Sequence, residues 1–266
     1  DTGTYALSTN LALDDTVSGT ADDDRLLITG PTAPGAEAVL DRGNQSPGSY
    51  AVELAGADWL TLAELTLRGG EHNLAAPQGA GSDHVTLDDV RLAADDGIVA
   101  ALIDFGNADF RAEDVVATGD RFGTALRLNG ADGEIVRGTF RDFSTALDVE
   151  GDGARVEDVR LIANDRALDL SSLNARVVGA ELIGNEDGIY APDQGARIED
   201  SLFRDHTDRA LDLGDGTVAT GNRFLFNAEA VVADGAEIRD NRFVANTAAV
   251  AAGRDGAVVA NRFTAD

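Results

Sequence analysis

The second half of the chain repeats one pattern of apolar and polar positions about every 20 residues. An apolar column recurs at spacings of 21, 21, 21, 21, 19 and 20 residues: Phe140, Leu161, Leu182, Phe203, Phe224, Phe243 and Phe263. A mainly polar column follows it three residues later: Phe143, Asn164, Asn185, His206, Asn227 and Asn246. Self-similarity at this period predicts a solenoid in which each repeat forms one coil stacked on the next.

Within each repeat, apolar residues alternate with polar ones, which predicts strands rather than helices. One coil shows the alternation at Val156, Val159, Leu161, Leu168 and Leu170. Three short strands separated by tight turns fit a repeat of this length. At one turn the stacked Asn side chains can hydrogen-bond from rung to rung. Asp-Gly pairs mark a second turn, because Gly adopts positive φ without steric cost.

A pair of apolar residues that should face inward can be followed through ten coils. The pairs are Val52 and Leu54, Leu74 and Ala76, Val99 and Ala101, Leu126 and Leu128, Leu147 and Val149, Leu168 and Leu170, Ile189 and Ala191, Leu211 and Leu213, Val231 and Ala233, and Val250 and Ala252. With one more coil before them, the sequence predicts an all-β solenoid of about 11 coils at ~4.8 Å per rung. We expect residues 1–48 to form an N-terminal cap and the first coil, and residues 49–266 to form the other coils of one continuous domain.

Several segments indicate which kind of solenoid the chain forms. They are Gly3-Thr-Tyr-Ala-Leu, Leu26-Leu-Ile-Thr-Gly, Val52-Glu-Leu, and the repeat Asn185-Glu-Asp-Gly-Ile-Tyr-Ala. Through them, nearly the whole chain resembles the superfamily that contains pectate lyases, polygalacturonases, uronan epimerases and the carbohydrate-binding CASH/NosD-type repeats. The resemblance implies a single-stranded right-handed parallel β-helix and favours carbohydrate as the ligand. It is specific for the fold and not for an activity.

The composition narrows the setting in which such a solenoid would work. The formal net charge is −27, from 48 acidic and 21 basic residues, and all of the basic ones are Arg. This acidity opposes binding to nucleic acid or to an anionic membrane, and no apolar run reaches the ~18 residues of a membrane span. An Asp-rich surface without Lys is typical of halophilic proteins. Without an initiator Met or a signal peptide, we expect a mature or excised segment of an extracellular or cell-surface protein.

The two widest coils are where a catalytic site is expected, because function in solenoids usually lies on turn insertions. Their candidate catalytic residues are Asp95, Asp96, Asp104 and Arg121. Asp95 and Asp96 resemble the paired carboxylates of polygalacturonases, which act as acid and base on a glycosidic bond. The other motifs of that family are absent, as are the Lys and the Tyr-Gly-x-Asp-Pro-His motif of many lyases and epimerases. Arg121 is the candidate for a pectate-lyase-like base, and the alternative is that these segments are only wide surface turns.

Two exposed aromatic residues are candidates for binding sugars. Tyr190 lies between inward Ile189 and Ala191, so its ring should face outward, and Trp59 should also be external. Such rings can stack on the faces of sugars. With the histidines of the wide coils, the candidate ligand-binding residues are Trp59, His72, His84 and Tyr190.

An acidic column is predicted at one turn: Glu64, Asp88-Asp89, Glu113-Asp114, Glu157-Asp158, Glu199-Asp200 and Asp240. Carboxylates stacked at rung spacing repel by roughly 1 kcal/mol per neighbour in water, which high salt or Ca²⁺ between rungs would relieve. An adjacent Arg column would neutralise part of it: Arg91, Arg160, Arg223, Arg242 and Arg262. The candidate calcium ligands are Asp88, Asp89, Glu113 and Asp114, with Asp148 and Asp152 from a stretch that resembles the start of a calcium loop. The alternative is a solvated acidic face without metal.

Three functional hypotheses follow. The first is a domain for carbohydrate binding, adhesion or surface assembly, with a polysaccharide or surface glycan as partner. The second is a polysaccharide-acting enzyme, a glycoside hydrolase or lyase, with its site near Asp95 to Arg121. The third is a structural spacer or filament subunit that contacts neighbouring domains or stacks end to end.

Overall fold

The structure is a solenoid whose coils each add one strand to three parallel sheets. The computed structural model describes residues 1–94, 99–192 and 195–264. In these ranges the strands form sheets of 12, 11 and 11 members, in which every third strand along the chain is a neighbour. Parallel strands connected in this way cross over with a right-handed sense. The chain is therefore an all-β, single-stranded right-handed parallel β-helix, which confirms the predicted fold and the prediction of about 11 coils.

The three sheets are numbered in the order in which the chain first enters them. Sheet 1 contains Gly3–Ala6, Ala38–Asn44, Leu65–Gly70, Arg91–Ala93, Val116–Thr118, Thr139–Arg141, Arg160–Ile162, Glu181–Ile183, Leu202–Arg204, Arg223–Leu225, Arg242–Val244 and Arg262–Thr264. Sheet 2 contains Leu11–Asp14, Tyr50–Ala55, His72–Ala76, Val99–Ile103, Thr124–Leu128, Thr145–Val149, Arg166–Leu170, Asp187–Ala191, Arg209–Leu213, Glu229–Ala233 and Ala248–Ala252. Sheet 3 contains Leu26–Thr29, Leu60–Ala63, Thr86–Asp88, Arg111–Glu113, Glu134–Val136, Arg155–Glu157, Arg176–Val178, Arg197–Glu199, Val218–Thr220, Glu237–Arg239 and Ala257–Val259. A 3-10 turn at Asp15–Val17 is the only helical element in the described ranges, none of which contains a helix able to cross a membrane.

The apolar column runs through the core of sheet 1, as predicted. Its members pair in register from Phe140 through Leu161 and Leu182 to Phe203 and on along the sheet. The last four rings stack on one another with centroid separations of 4.8, 4.9 and 4.9 Å. Stacked aromatic pairs of this kind contribute about 0.5–1.5 kcal/mol each beyond the apolar area they bury.

One predicted inward pair is displaced by two residues. Sheet 2 pairs Ala101, not Val99, with Leu74 and Leu126, so the inward pair of this coil is Ala101 and Ile103. Val99 is only partly buried. Because side chains alternate with a period of two, a shift of two residues keeps the same face and leaves the apolar pattern unchanged. The extra residues of the wide coil therefore made the strand register ambiguous in the sequence.

The polar column forms a hydrogen-bonded ladder at the turn between sheets 1 and 2. In each of four links, an Asn Oδ1 accepts from the backbone N–H one rung earlier: Asn164 from Phe143 at 3.0 Å, Asn185 from Asn164 at 2.9 Å, Asn227 from His206 at 3.1 Å, and Asn246 from Asn227 at 2.9 Å. His206 interrupts the ladder, because neither of its buried ring nitrogens has a hydrogen-bond partner in the described residues. Burial lowers the pKa of His206 to about 4.

A second ladder, which the sequence analysis did not predict, lies at the turn between sheets 3 and 1. Asn222 accepts from the N–H of Ser201 at 2.9 Å, Asn241 from Asn222 at 2.8 Å, and Asn261 from Asn241 at 2.9 Å. The backbone of the preceding residue is left-handed at several rungs, including Asp200, Asp240 and Ala260. The two ladders satisfy the backbone groups that these sharp turns would otherwise leave buried and unpaired.

Candidate functional site

The residues predicted to be catalytic do not form one cluster in the described structure. Asp95 and Asp96 lie outside the described residues. Asp104 follows the sheet 2 strand Val99–Ile103, where its Oδ1 accepts from the N–H of Phe105 at 2.8 Å and from Nδ2 of Asn129 at 3.2 Å. These contacts assign Asp104 a role in holding the turn that leaves sheet 2.

Arg121 lies at the opposite end of the same sheet. It stands in the turn that enters strand Thr124–Leu128, with a left-handed φ of 74°, and its N–H donates to the carbonyl of Asp142 at 2.6 Å. Because a five-residue strand is about 16 Å long, Asp104 and Arg121 do not converge on one substrate atom.

Trp59 is engaged by the protein's own side chains. The ring of His84, one rung later, stacks on it with a centroid distance of 3.8 Å, and the guanidinium of Arg25 lies 5.3 Å from its centroid. Arg25 also donates to the carbonyl of His84 at 2.6 Å, and Nδ1 of His84 lies 3.4 Å from Oδ2 of Asp109. A sugar ring would have to displace one of these groups, so Trp59 and His84 serve here to join the first coils.

His72 lies on the outer face of sheet 2, near the N-terminal end of the solenoid. Its ring stacks on Tyr50 with a centroid distance of 5.5 Å, and its Nδ1 is 2.8 Å from the carbonyl oxygen of Val99. Five rungs separate it from Tyr190, which is about 24 Å at the usual strand spacing. The predicted ligand-binding residues therefore occupy three separate places.

Tyr190 faces outward from sheet 2, as predicted, while Ile189 and Ala191 are buried in the core. Two copies of the sequence Arg-Ala-Leu-Asp-Leu flank it, starting at Arg166 on the preceding rung and at Arg209 on the following rung. Each copy forms its own ion pair, Arg166 to Asp169 at 2.7 Å and Arg209 to Asp212 at 2.8 Å. The guanidinium of Arg166 also lies 5.2 Å from the centroid of the Tyr190 ring.

These side chains form a shallow depression of about 270 Å³, lined by Arg166, Asp187, Ile189, Tyr190, Arg209 and Asp212. It offers one aromatic ring, two guanidinium donors and two carboxylate acceptors. Asp187 lies 3.9 Å from Arg166 and accepts from the backbone N–H of Arg209 at 3.4 Å. Two positive and two negative side chains leave the lining without excess charge.

The depression opens toward a larger groove over the following rungs. Asp212 lines both, and the larger groove, of about 850 Å³, continues past Val232 and Ala251 along the same outward column. Three rungs separate Tyr190 from Ala251, which corresponds to about 14 Å of exposed surface. An extended ligand could therefore contact Tyr190 and continue along sheet 2.

Four of the predicted calcium ligands lie together at the turn between sheets 3 and 1: Asp88, Asp89, Glu113 and Asp114. Arg137, one rung later, donates to both Glu113 and Asp114, the latter at 2.9 Å, and Arg111 binds Glu113 at 2.8 Å. Hydrogen bonds from these two arginines lower the pKa of Glu113, whereas burial and then the neighbouring carboxylates raise the pKa of Asp88. Arginine side chains thus supply the positive charge at this turn.

The other two predicted ligands lie apart from this cluster. Asp148 accepts from Arg127 at 2.7 Å, and Asp152 accepts from the N–H of Leu173 at 3.2 Å. Across residues 1–94, 99–192 and 195–264, no group of three or more His, Cys, Asp or Glu side chains is arranged to hold a metal ion. The calcium site stays a prediction without support from this geometry.

Comparison with solved structures finds similar β-helices at low sequence identity, while no family model and no curated protein matches the chain. The tailspike protein of E. coli bacteriophage HK620, solved with a hexasaccharide, matches with a TM-score of 0.71 and 10% identity over 90% of this chain and 55% of that chain. A mannuronic acid specific polysaccharide family 6 lyase from human gut microbiota matches with a TM-score of 0.71 and 11% identity over 99% of this chain and 75% of that chain. The chain shares the parallel β-helix fold of these proteins, which is the fold that the sequence resemblance implied.

A third similar structure is PfbA, a surface adhesin of Streptococcus pneumoniae, with a TM-score of 0.57 and 9% identity over 98% of this chain and 81% of that chain. At such identities the likeness concerns the fold alone. The chain also spans only about half the length of the phage tailspike.

Proposed function

We propose that this chain is an extracellular or cell-surface recognition domain that binds a neutral polysaccharide on the outer face of sheet 2. The observation that carries the proposal is the arrangement around Tyr190, an outward ring between two Arg-Asp ion pairs in a depression that continues as a groove. A pyranose ring presents a C–H face that packs on an aromatic ring, while its hydroxyls donate to carboxylates and accept from guanidinium groups.

The balance of charge favours a neutral sugar at this site. Arg166 and Arg209 are each already paired with a carboxylate, so neither has an uncompensated charge to offer to an acidic ligand. Neutral hydroxyl groups can share the remaining donor and acceptor positions without breaking these pairs.

Two further observations support a surface setting. The similar structures include a phage tailspike with a bound hexasaccharide and a bacterial surface adhesin. A net charge of −27 with Arg as the only basic residue type is suited to strong salt, because acidic surfaces remain hydrated and mutually repulsive there. Both observations support the proposal that the domain works on or outside a cell that lives in high salt.

The test is the retention of the protein by neutral polysaccharides in native gels, comparing wild type with Tyr190→Ala. Loss of the ring contact should weaken retention by about tenfold, which corresponds to about 1.4 kcal/mol. Leu102→Ala is the matched control, because Leu102 occupies the same outward column four rungs away. Equal retention of wild type and Tyr190→Ala would refute the proposed site.

The same samples report on catalysis if the release of new sugar ends is measured. Retention without release supports a recognition domain. Release that is lost in Asp95→Ala or Asp96→Ala would instead favour the polysaccharide-acting enzyme and place its site in the wide coils.

A further inference from the structure

Three arginines form a row on the outer face of sheet 1, and this arginine row consists of Arg223, Arg242 and Arg262. They pair in register on consecutive rungs, so they repeat at the strand spacing of about 4.8 Å. All three side chains are exposed. Each belongs to the same three-residue sequence, Asn-Arg-Phe, in which the Asn joins the second ladder and the Phe enters the stacked core.

No carboxylate in the described residues forms an ion pair with the arginine row, whereas Arg160 in the same column binds Glu181 at 3.1 Å. Together with Arg91 and Arg160, these arginines were expected to neutralise part of the acidic column. At the rung of Arg242 its member is Asp240, and Asp240 is instead 3.4 Å from Arg239. The arginine row therefore carries uncompensated positive charge in a protein whose net charge is −27.

The fold does not require arginine at these positions. Earlier rungs of the same column carry Thr139, Arg160, Glu181 and Leu202 in equivalent strands. Three neighbouring guanidinium groups at this spacing repel one another by about 1 kcal/mol per neighbouring pair in water. At moderate salt the row thus costs stability unless an anion lies along it, whereas high salt would screen the repulsion.

An apolar row runs beside the arginine row. Leu225 and Val244 are the outward residues two positions after Arg223 and Arg242, about 7 Å from these arginines along the strands. Both are partly exposed. The face therefore presents a repeating positive charge next to a repeating apolar contact, both in step with the rungs.

We propose that this face binds an anionic polysaccharide that runs across the rungs, with one carboxylate or sulfate for each arginine. One pyranose unit is close in length to the rung spacing, so successive anionic groups can meet successive guanidinium groups while the rings pack on Leu225 and Val244. Arg suits both kinds of anion, because its planar fork donates two hydrogen bonds to one carboxylate or sulfate. This site is on a different sheet from Tyr190 and does not depend on the neutral-sugar site.

The net negative charge of the protein does not prevent this binding at moderate salt. The Debye length at about 0.15 M salt is about 8 Å, so an anion over the row responds mainly to the nearest charges. The three arginines, which have no carboxylate partner among the described residues, are then the charges closest to the bound anion. Stronger salt should weaken this site while leaving stacking at Tyr190 largely unchanged.

The experiment measures equilibrium binding to three probes at about 0.15 M salt with EDTA present, so that no divalent cation bridges the partners. Dextran sulfate and dextran share a backbone and differ in charge, and polygalacturonate tests carboxylates. We expect wild type to bind at least one anionic probe more tightly than dextran, through this row. Each single change, Arg223→Gln, Arg242→Gln or Arg262→Gln, should weaken that binding about threefold, and the triple variant about thirtyfold.

Arg160→Gln is the matched control, because it removes the same charge from the same column where an ion pair already exists. It should leave anionic binding within about twofold of wild type. Binding of dextran sulfate alone or polygalacturonate alone would identify sulfate or carboxylate as the anion. The proposal is overturned if neither probe binds, if the triple variant binds like wild type, or if Arg160→Gln costs as much as the changes in the row. Tyr190→Ala should leave anionic binding intact, which separates this result from failure of the neutral-sugar site.

Discussion

Replacing His206 with Asn should stabilise the protein and reduce its sensitivity to acid. The ring of His206 occupies a ladder position at which the neighbouring rungs carry Asn185 and Asn227, and both of its nitrogens are buried without hydrogen-bond partners in the part of the chain that the structure describes. An Asn here would repeat the contacts of Asn227, which accepts from the next backbone N–H at 3.1 Å and donates to the carbonyl of Phe203 at 3.2 Å. The corresponding partners for residue 206 are the N–H of Asn185 and the carbonyl of Leu182.

The gain in stability at neutral pH is the difference between two contributions to the free energy of unfolding. Two restored hydrogen bonds contribute about 1 kcal/mol each. Against them stands the loss of the imidazole ring, which contacts Phe203 with a centroid distance of 6.3 Å and whose removal costs about 1 kcal/mol of apolar burial. His206→Asn should therefore raise the free energy of unfolding by about 1 kcal/mol above pH 7.

The pH dependence provides the sharper signature. Burial lowers the pKa of His206 to about 4. In the unfolded chain the pKa is about 6.5. Above pH 6.5 the ring is neutral in both states, and as the pH falls toward 4 only the unfolded chain takes up the proton. Between pH 6.5 and pH 4, protonation of His206 in the unfolded chain should therefore lower the free energy of unfolding of wild type by about 3 kcal/mol.

Urea unfolding of both proteins between pH 8 and pH 4 tests this, because the carboxylates they share cancel in the difference. The free energy of unfolding of His206→Asn should exceed that of wild type by about 1 kcal/mol at high pH and by about 4 kcal/mol near pH 4. Asn227→His is the matched reverse change and should lower stability with the opposite pH trend. A difference between wild type and His206→Asn that stays constant across the range would show that the ring does not remain neutral inside the fold, which refutes the reasoning.

Two further predictions concern the turns. Gly130→Ala should lower the free energy of unfolding by about 3 kcal/mol, because the new Cβ would collide with the backbone carbonyl of Asn107. Gly184 has a φ of +61° and open space around it, so Gly184→Ala should lower the free energy of unfolding by only about 1 kcal/mol. Thermal unfolding of the two variants checks this, and equal losses would contradict it. Arg137→Gln should raise the pKa of the Glu113 side chain, because one of the hydrogen bonds that now lowers it is lost. NMR titration of the Glu113 carboxyl measures the shift, and an unchanged pKa would show that Arg111 alone accounts for the present value.

The fold could be predicted from the sequence because its core repeats without gaps. The column from Phe140 to Phe263 keeps nearly constant spacing, and its members from Phe140 to Phe243 are buried. The error at Val99 arose where a wide coil adds residues, since alternation cannot distinguish registers that differ by two. The second ladder was not predicted, because its Asn repeat covers only three rungs, Asn222, Asn241 and Asn261, and is preceded by Ser201 and Ala180 at the equivalent positions.

The candidate sites were less predictable, because each depends on which residues become neighbours across rungs. An outward Tyr190 follows from alternation alone, but the position of the Arg166–Asp169 and Arg209–Asp212 ion pairs on either side of it depends on the exact register of strands 21 and 22 residues apart. Likewise Trp59 was predicted to be free for sugar, and only the register places Arg25 and His84 against it. Adjacent rungs therefore determine whether an exposed aromatic ring is available to a ligand.

The arginine row shows how a single repeated triplet can serve both folding and recognition. In Asn-Arg-Phe the Asn satisfies a turn and the Phe joins the aromatic stack of sheet 1, so both are constrained by the fold. The Arg between them points outward at a position where other rungs of the same chain carry Thr139, Glu181 or Leu202. Folding therefore explains two residues of the triplet and leaves the third unexplained. At moderate salt adjacent like charges oppose folding, so the repetition of Arg on three consecutive rungs supports the proposed anionic ligand that spans them.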